Sequence, residues 1–213
     1  MLEWARKEPA MGKNDSAVIR HEISDADIER NAQEIDSILR ALPRAGIANL
    51  ADWLKTTDFY TAPASSKYHL NSVGGLAVHS LNVYRCLQKM VADGLVKLEP
   101  ETVAITALLH DLCKTNFYKK DVRPVTVDGE TRNRDVWTID DPFPAGHGDK
   151  SCYYIQRYIQ LTEEEYAMVR HHMGPVPGAA YPEPFGACAA IYPGVAAIYI
   201  ADMQAAYLLE SRP

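Results

Sequence analysis

The stretch Ala104-Ile-Thr-Ala-Leu-Leu-His110-Asp111-Leu-Cys-Lys114 constrains this chain more than any other. It reads as an apolar helix that ends on a histidine–aspartate doublet. A carboxylate buried without a partner is costly, so a fold that packs this helix inside must bring positive charge to Asp111. The adjacent imidazole makes a metal ion the leading source of that charge.

With 213 residues, 47% of them hydrophobic, the chain can bury one sizeable core. The expected organisation is an N-terminal extension over 1–23, a helical segment over 24–73 packed on the core, and a main domain over 74–213. No apolar run reaches the roughly 18 residues of a membrane span. Met1–Asn14 mixes charged and apolar residues and contains no signal-peptide core, so a cytoplasmic location is expected. The four cysteines, Cys86, Cys113, Cys152 and Cys188, form no C-x-x-C pair. That speaks for buried reduced thiols and against a disulfide framework or a cysteine–zinc site. A net charge of −6 speaks against a broadly basic nucleic-acid surface. One local exception is the stretch 114–134, with six cations (Lys114, Lys119, Lys120, Arg123, Arg132, Arg134) and three acids. It is either a solvated loop or a basic flap that meets phosphate.

Helical signals dominate. Ser24 with Asp27 three residues on opens an amphipathic run through Leu42, stopped by Pro43. Further helices are expected over 44–55, 76–92, from Pro100 to the doublet, after Gly146, from the capping box Thr162-x-x-Glu165, and over 195–210. Residues 117–141 differ: β-branched and aromatic residues surround Asp128-Gly129, which predicts an inserted β-hairpin. Five prolines and four glycines between Gly174 and Gly194 predict irregular backbone. The fold class is therefore mainly α with a small hairpin.

Helical spacing turns several polar side chains inward. His79 shares a face with Leu76 and Val83, and Asp202 shares one with Val195, Ile198, Ala205 and Leu209. His172 follows Val169 and Met168 on the apolar side. Five of the seven histidines (His79, His110, His147, His171, His172) and two inward aspartates sit at helix faces or ends. A shared metal cluster explains them with one cause.

Gly74-Gly75-Leu-Ala-Val-His79, Leu-Leu-His110-Asp111-Leu-Cys-Lys114, Gly146-His147-Gly, His171-His172-Met-Gly and Ile-Ala-Asp202 resemble the HD-domain phosphohydrolase superfamily. The likeness covers the last two-thirds of the chain. It is nearest the branch with extra histidines that includes the YhaM-type 3′→5′ exoribonucleases. Those enzymes carry an N-terminal OB-fold, whereas residues 1–73 here read as helices and connector. Cys113 stands where the family usually has glycine, at a position that carries no ligand.

The resemblance implies two divalent ions, drawn from Mn, Fe, Ni, Co, Zn or Mg. One would be held by His79, His110, Asp111 and Asp202, the other by His147 and His172 (aligned in preference to His171), with Asp111 bridging. A shared hydroxide would attack phosphorus in a nucleotide-type ester or anhydride. Lys114 and Lys150 are candidate phosphate contacts, and Lys67 and His69 could line the entrance. Aromatic Phe117, Tyr118, Trp137, Tyr181, Phe185 and Tyr192 could stack a base. Two other functions fit the residues: a 3′→5′ exonuclease on short single-stranded RNA or DNA, and a non-catalytic nucleotide-sensing module.

Overall fold

A computed structural model of the chain describes residues 19, 22–127, 129–175 and 184–210. Most of the expected N-terminal extension, and Tyr181, lie outside that range. Ser24 opens α1 (Asp25–Arg40): its side chain accepts the Asp27 N–H at 3.2 Å, and Asp25 and Asp27 place negative charge at the positive end of the helix. The second helix, α2 (Ile47–Lys55), begins three residues later than its sequence pattern suggests. Gly46 takes a left-handed φ of 87°, and a Cβ there would also collide with the Tyr158 carbonyl, so the position requires glycine twice over.

A connector leads through Gly74 to α3 (Gly75–Ala92), and Pro100 at its first turn starts α4 (Pro100–Leu109). Every residue of α4 from 103 to 109 is buried, so it is a helix apolar on all sides with the rest of the fold around it. On one flank it packs with Ile35, Leu39, Leu50, Leu54 and Leu81. On the other it packs with Val83, Leu87, Met168 and Ile198. Each large apolar side chain that leaves water contributes about 1.5–3 kcal/mol. Ile35, Leu39, Leu50 and Leu54 therefore hold the first two helices firmly against the rest.

A 3-10 turn, Leu112–Lys114, follows the doublet and leads to the hairpin β1 (Tyr118–Val127) and β2 (Glu130–Ile139). The strands pair antiparallel from Tyr118↔Ile139 to Val127↔Glu130, with Gly129 at φ 82° in the turn. Trp137 anchors the hairpin base by donating its indole N–H to the Asn71 carbonyl at 2.8 Å. Next come α5 (His147–Gln156), α6 (Glu163–His171) with its capping box formed, α7 (Phe185–Ile191) and α8 (Gly194–Gln204). The last of these widens into a π turn over Ala205–Leu209.

The short α7 corrects the expectation of irregular backbone over 174–194. Between Pro184 and Pro193 the chain is free of proline and rich in alanine, which is enough for two turns of helix. No single helix among the described residues is long and apolar enough to cross a membrane.

Candidate metal centre

Two helices end on histidines in the same way. His110 is the C-cap of α4 and His172 the C-cap of α6. Each ring donates its Nδ1–H to the carbonyl three residues back, Ala107 at 2.8 Å and Val169 at 2.6 Å. The last carbonyls of a helix lack intrahelical partners, so the bond satisfies one of them. It also fixes the tautomer, leaving the Nε2 lone pair of each ring directed inward. The two rings meet edge to face with centroids 4.8 Å apart.

Asp111 lies between these rings, 2% exposed, and its two oxygens face different neighbours. Oδ2 is 3.5 Å from His110 Nε2, 3.7 Å from His79 Nε2 and 2.6 Å from Lys114 Nζ. Oδ1 is 2.8 Å from His147 Nε2 and 3.4 Å from His172 Nε2. His79, in the second turn of α3, lies 3.3 Å from His110 Nε2 and 3.1 Å from Asp202 Oδ1 on α8. All six residues singled out from the sequence thus converge from five helices. His171 points elsewhere, with Nε2 3.2 Å from the Arg170 guanidinium and its ring toward Phe185.

The electrostatics favour positive charge here. Burial alone would raise the Asp111 pKa, but the charge of Lys114 and the hydrogen bonds of the neighbouring histidines, His147 among them, hold the carboxyl well below its usual range. Asp202 is likewise lowered, burial being outweighed by its hydrogen bond to His79 and the histidines around it. Burial would lower the His79 imidazole, yet the hydrogen bonds it donates to Asp202 and Glu210 push it up to about 9. Asp111 and Cys113 do the same for His147, also to about 9.

A second layer escapes the sequence reading. The Glu210 carboxylate sits 3.0 and 3.1 Å from His79 Nδ1 and accepts an N–H from Asn82 at 2.9 Å. This carboxylate–histidine pairing orients His79 Nε2 toward the cluster. His69 lies beside them, its ring 5.0 Å from that of His79. Burial, together with the charges of His79 and Lys114, lowers its pKa to about 4, so it is neutral at physiological pH. Cys113 Sγ lies 3.3 Å from the His147 ring nitrogens.

Other expectations need correction. Lys150 does not reach the cluster: its ammonium pairs with Asp141 and lies over the rings of Phe117 and Tyr154, at 2% exposure. The hairpin base folds over this face of α5 and takes the lysine as a buried strut. The hairpin cations do not form a flap over the site either. Lys119, Arg123 and Arg132 pair locally with Asp140, Asp121 and Glu130, and Lys120 lies over Trp137. Phe185 packs on His171 and Tyr199, and the Tyr192 hydroxyl donates to Glu163, so both are structural.

The cluster forms one wall of a cleft of about 740 Å³. His79, Asp111, His147 and Asp202 reach its surface, and Lys67, His69, Lys114 and Tyr118 also line it. Donor atoms fall into groups within 4.8 Å of one another: His79–His110–Asp202, His110–Asp111–His172, Asp111–Cys113–His147 and His69–His79–Glu210. The donor chemistry fits divalent ions. In particular, His172 Nε2 is buried with no hydrogen-bond partner, and an orphan lone pair of that kind calls for a cation.

The family model for the HD domain matches residues 76–206. The chain belongs to the HD-domain family. Membership carries metal-dependent phosphohydrolase chemistry at a divalent-metal site, and the HD match spans every residue of the cluster just described except Glu210 and His69. No curated protein and no solved structure matches the chain. In this HD domain the histidine–aspartate doublet stands at the exit of the buried α4, where both Asp111 oxygens are shared among neighbours.

Proposed function

We propose that the cleft is the active site of a phosphohydrolase that holds two divalent ions and cleaves a phosphate ester or anhydride of a nucleotide-type substrate. The observation that carries this reading is the division of labour at Asp111. Oδ2 faces His79 and His110, with Asp202 behind them, and Oδ1 faces His147 and His172. A carboxylate with separate donor sets on its two oxygens is suited to bridge a pair of ions. When bound, such a pair supplies Lewis acidity, lowering the pKa of water and neutralising charge on phosphoryl oxygens.

The protein's own groups do the rest. Lys114, 12% exposed and at the cleft surface, offers its ammonium to a phosphate as a point charge once Asp111 is engaged elsewhere. Lys67 adds a second cation at the mouth. Tyr118, Tyr199 and Tyr207 supply aromatic surface for a base on the walls. The cleft volume is that of a small-molecule site, which favours a nucleotide over a long strand.

The test is a metal-supplemented screen across nucleoside mono-, di- and triphosphates, cyclic nucleotides and short oligonucleotides, with metal content measured on the same samples. The expected result is turnover of a mononucleotide with about two ions per chain. Asp111→Asn keeps the shape of the side chain but not its charge, and should lose both turnover and metal. Turnover that survives Asp111→Asn would sink the reading. A ladder of products from a labelled strand would move the assignment to the exonuclease class.

A further inference from the structure

The 3-10 turn after the doublet is pinned to α5, because Ser151 Oγ accepts the Cys113 N–H at 3.0 Å. That bond turns the Cys113 side chain toward His147, the first residue of α5. Its Sγ lies 3.3 Å from both ring nitrogens of His147 and 3.9 Å from Asp111 Oδ1, and the residue is 3% exposed. A single S–H can serve only one of these neighbours at a time. One metal ion bound through His147 Nε2 can take the sulfur and Asp111 Oδ1 as well. With bonds of about 2.3 Å to sulfur and about 2.0–2.2 Å to nitrogen and oxygen, donors around one tetrahedral ion stand roughly 3.3–3.6 Å apart. The sulfur separations bracket that range. A second, independent observation points the same way: His172 Nε2, wholly buried and without a hydrogen-bond partner, lies 3.4 Å from the same Asp111 oxygen.

We propose that Cys113 is a thiolate ligand of the ion on the Oδ1 side of Asp111, joining His147, His172 and the carboxylate in a mixed sulfur, nitrogen and oxygen set. The inference rests on the two-ion reading above and goes beyond it, since that reading uses imidazole and carboxylate alone. As the metal–sulfur bond forms, the thiol proton leaves to solvent. The two halves of the centre then differ in kind. The Oδ2 half, with His79, His110 and Asp202, is an imidazole–carboxylate site. The Oδ1 half carries a soft ligand and selects Zn, Co or Fe over Mg.

Cobalt(II) titration of the full chain, followed by absorption spectroscopy, tests this directly. Bound cobalt should give a sulfur-to-metal charge-transfer band in the near ultraviolet. Cys113→Ser and Cys113→Ala should lose that band while keeping the visible bands of cobalt held by nitrogen and oxygen. Zinc affinity of the Oδ1 half should fall at least about tenfold in both variants. Cobalt bound without the band, or a band that persists in both variants, overturns the role of Cys113 and leaves the two-ion reading standing. A wild-type chain that binds no cobalt overturns both. Because a variant could misfold, zinc X-ray absorption on the wild-type protein gives an independent measure. A sulfur scatterer at about 2.3 Å is expected, and a shell of nitrogen and oxygen alone refutes the proposal.

Discussion

Arg44→Met should destabilise the fold far more than a change at a partly exposed arginine usually does. Arg44 sits in the turn between the first two helices, and its guanidinium reaches three other segments. It makes paired bonds to Glu165 at 2.9 and 3.0 Å, one to Glu101 at 2.8 Å and one to the Gln160 carbonyl at 2.8 Å. The Glu165 side chain is fully buried, and it also takes the Thr162 N–H and the Thr102 hydroxyl. Removing the arginine strands that carboxylate inside the protein, and breaking a buried pair from one side costs about 3–5 kcal/mol. For a chain of this length each kcal/mol moves the melting temperature by about 2–4 °C, so a fall of roughly 6–20 °C is expected at pH 7.

The pH dependence supplies the sharper check. In the wild type, burial pushes the Glu165 pKa up, but the hydrogen bonds from Arg44 and the Thr162 N–H outweigh it and hold the group below its usual value. Its stabilisation is present above the unfolded-state pKa of about 4.3 and is lost as pH falls through the lower folded value. Without Arg44, burial prevails and the pKa rises, so Glu165 favours folding only when protonated. The gap between the two proteins should therefore be widest near neutrality and narrow toward pH 4. Glu165→Gln added to Arg44→Met keeps the capping box, removes the stranded charge and should recover most of the loss. Thermal unfolding monitored by circular dichroism, run from pH 4 to 8 on the three proteins, reads all of this. A single variant that melts within about 2 °C of wild type at pH 7, or a gap that widens in acid, would refute the reasoning.

Three further outcomes are expected. A Cβ at Gly148 would collide with the Arg170 carbonyl of α6, so Gly148→Ala should push His147 away from Asp111. Displacements of about 1 Å at a reacting centre cost about 10²-fold in rate, and kinetics with metal analysis would show whether one ion is lost with it. Glu210→Gln removes the carboxylate behind His79 and should weaken binding of one ion by about 10–100-fold, measurable by calorimetry, with melting of the apo protein shifted far less than by Arg44→Met. Lys150→Met should lower stability by about 1–3 kcal/mol and leave KM unchanged. A raised KM at unchanged melting temperature would return Lys150 to the phosphate site.

The parts of the centre that were legible in the sequence are those governed by helical period. His79 and Asp202 lie at core spacing on long apolar helices, and the doublet ends a helix with no polar face of its own, so contrast alone marks them. Glu210 defeats that logic. It lies eight residues beyond Asp202, where an unbroken α-helix turning about 100° per residue would carry it about 80° away. The π turn, closed by the Glu210 N–H on the Ala205 carbonyl at 3.0 Å, rotates less per residue and brings both carboxylates to His79. Cys113 is hidden for another reason: its neighbour is chosen by the Ser151 bond across to α5, a contact with no local signature. Lys150 misleads because it stands one turn after His147, while the covering Phe117 and Asp141 arrive from the hairpin and the segment that follows it.

The Arg44 network and the metal centre lie at opposite ends of the same two helices. Glu101 and Thr102 begin α4 and Glu165 begins α6, while His110 and His172 cap the far ends with their rings in contact. The two helices therefore run side by side in one direction, clamped at the start by Arg44 and closed at the finish around Asp111. His110 and His172 face different oxygens of that carboxylate. Loosening the clamp should accordingly weaken both ions together, whereas Glu210→Gln, acting through His79 alone, should weaken only the Oδ2 side. Equal loss of both ions in the Glu210 variant would show that the centre is one cooperative cluster and that the two oxygens of Asp111 do not divide it.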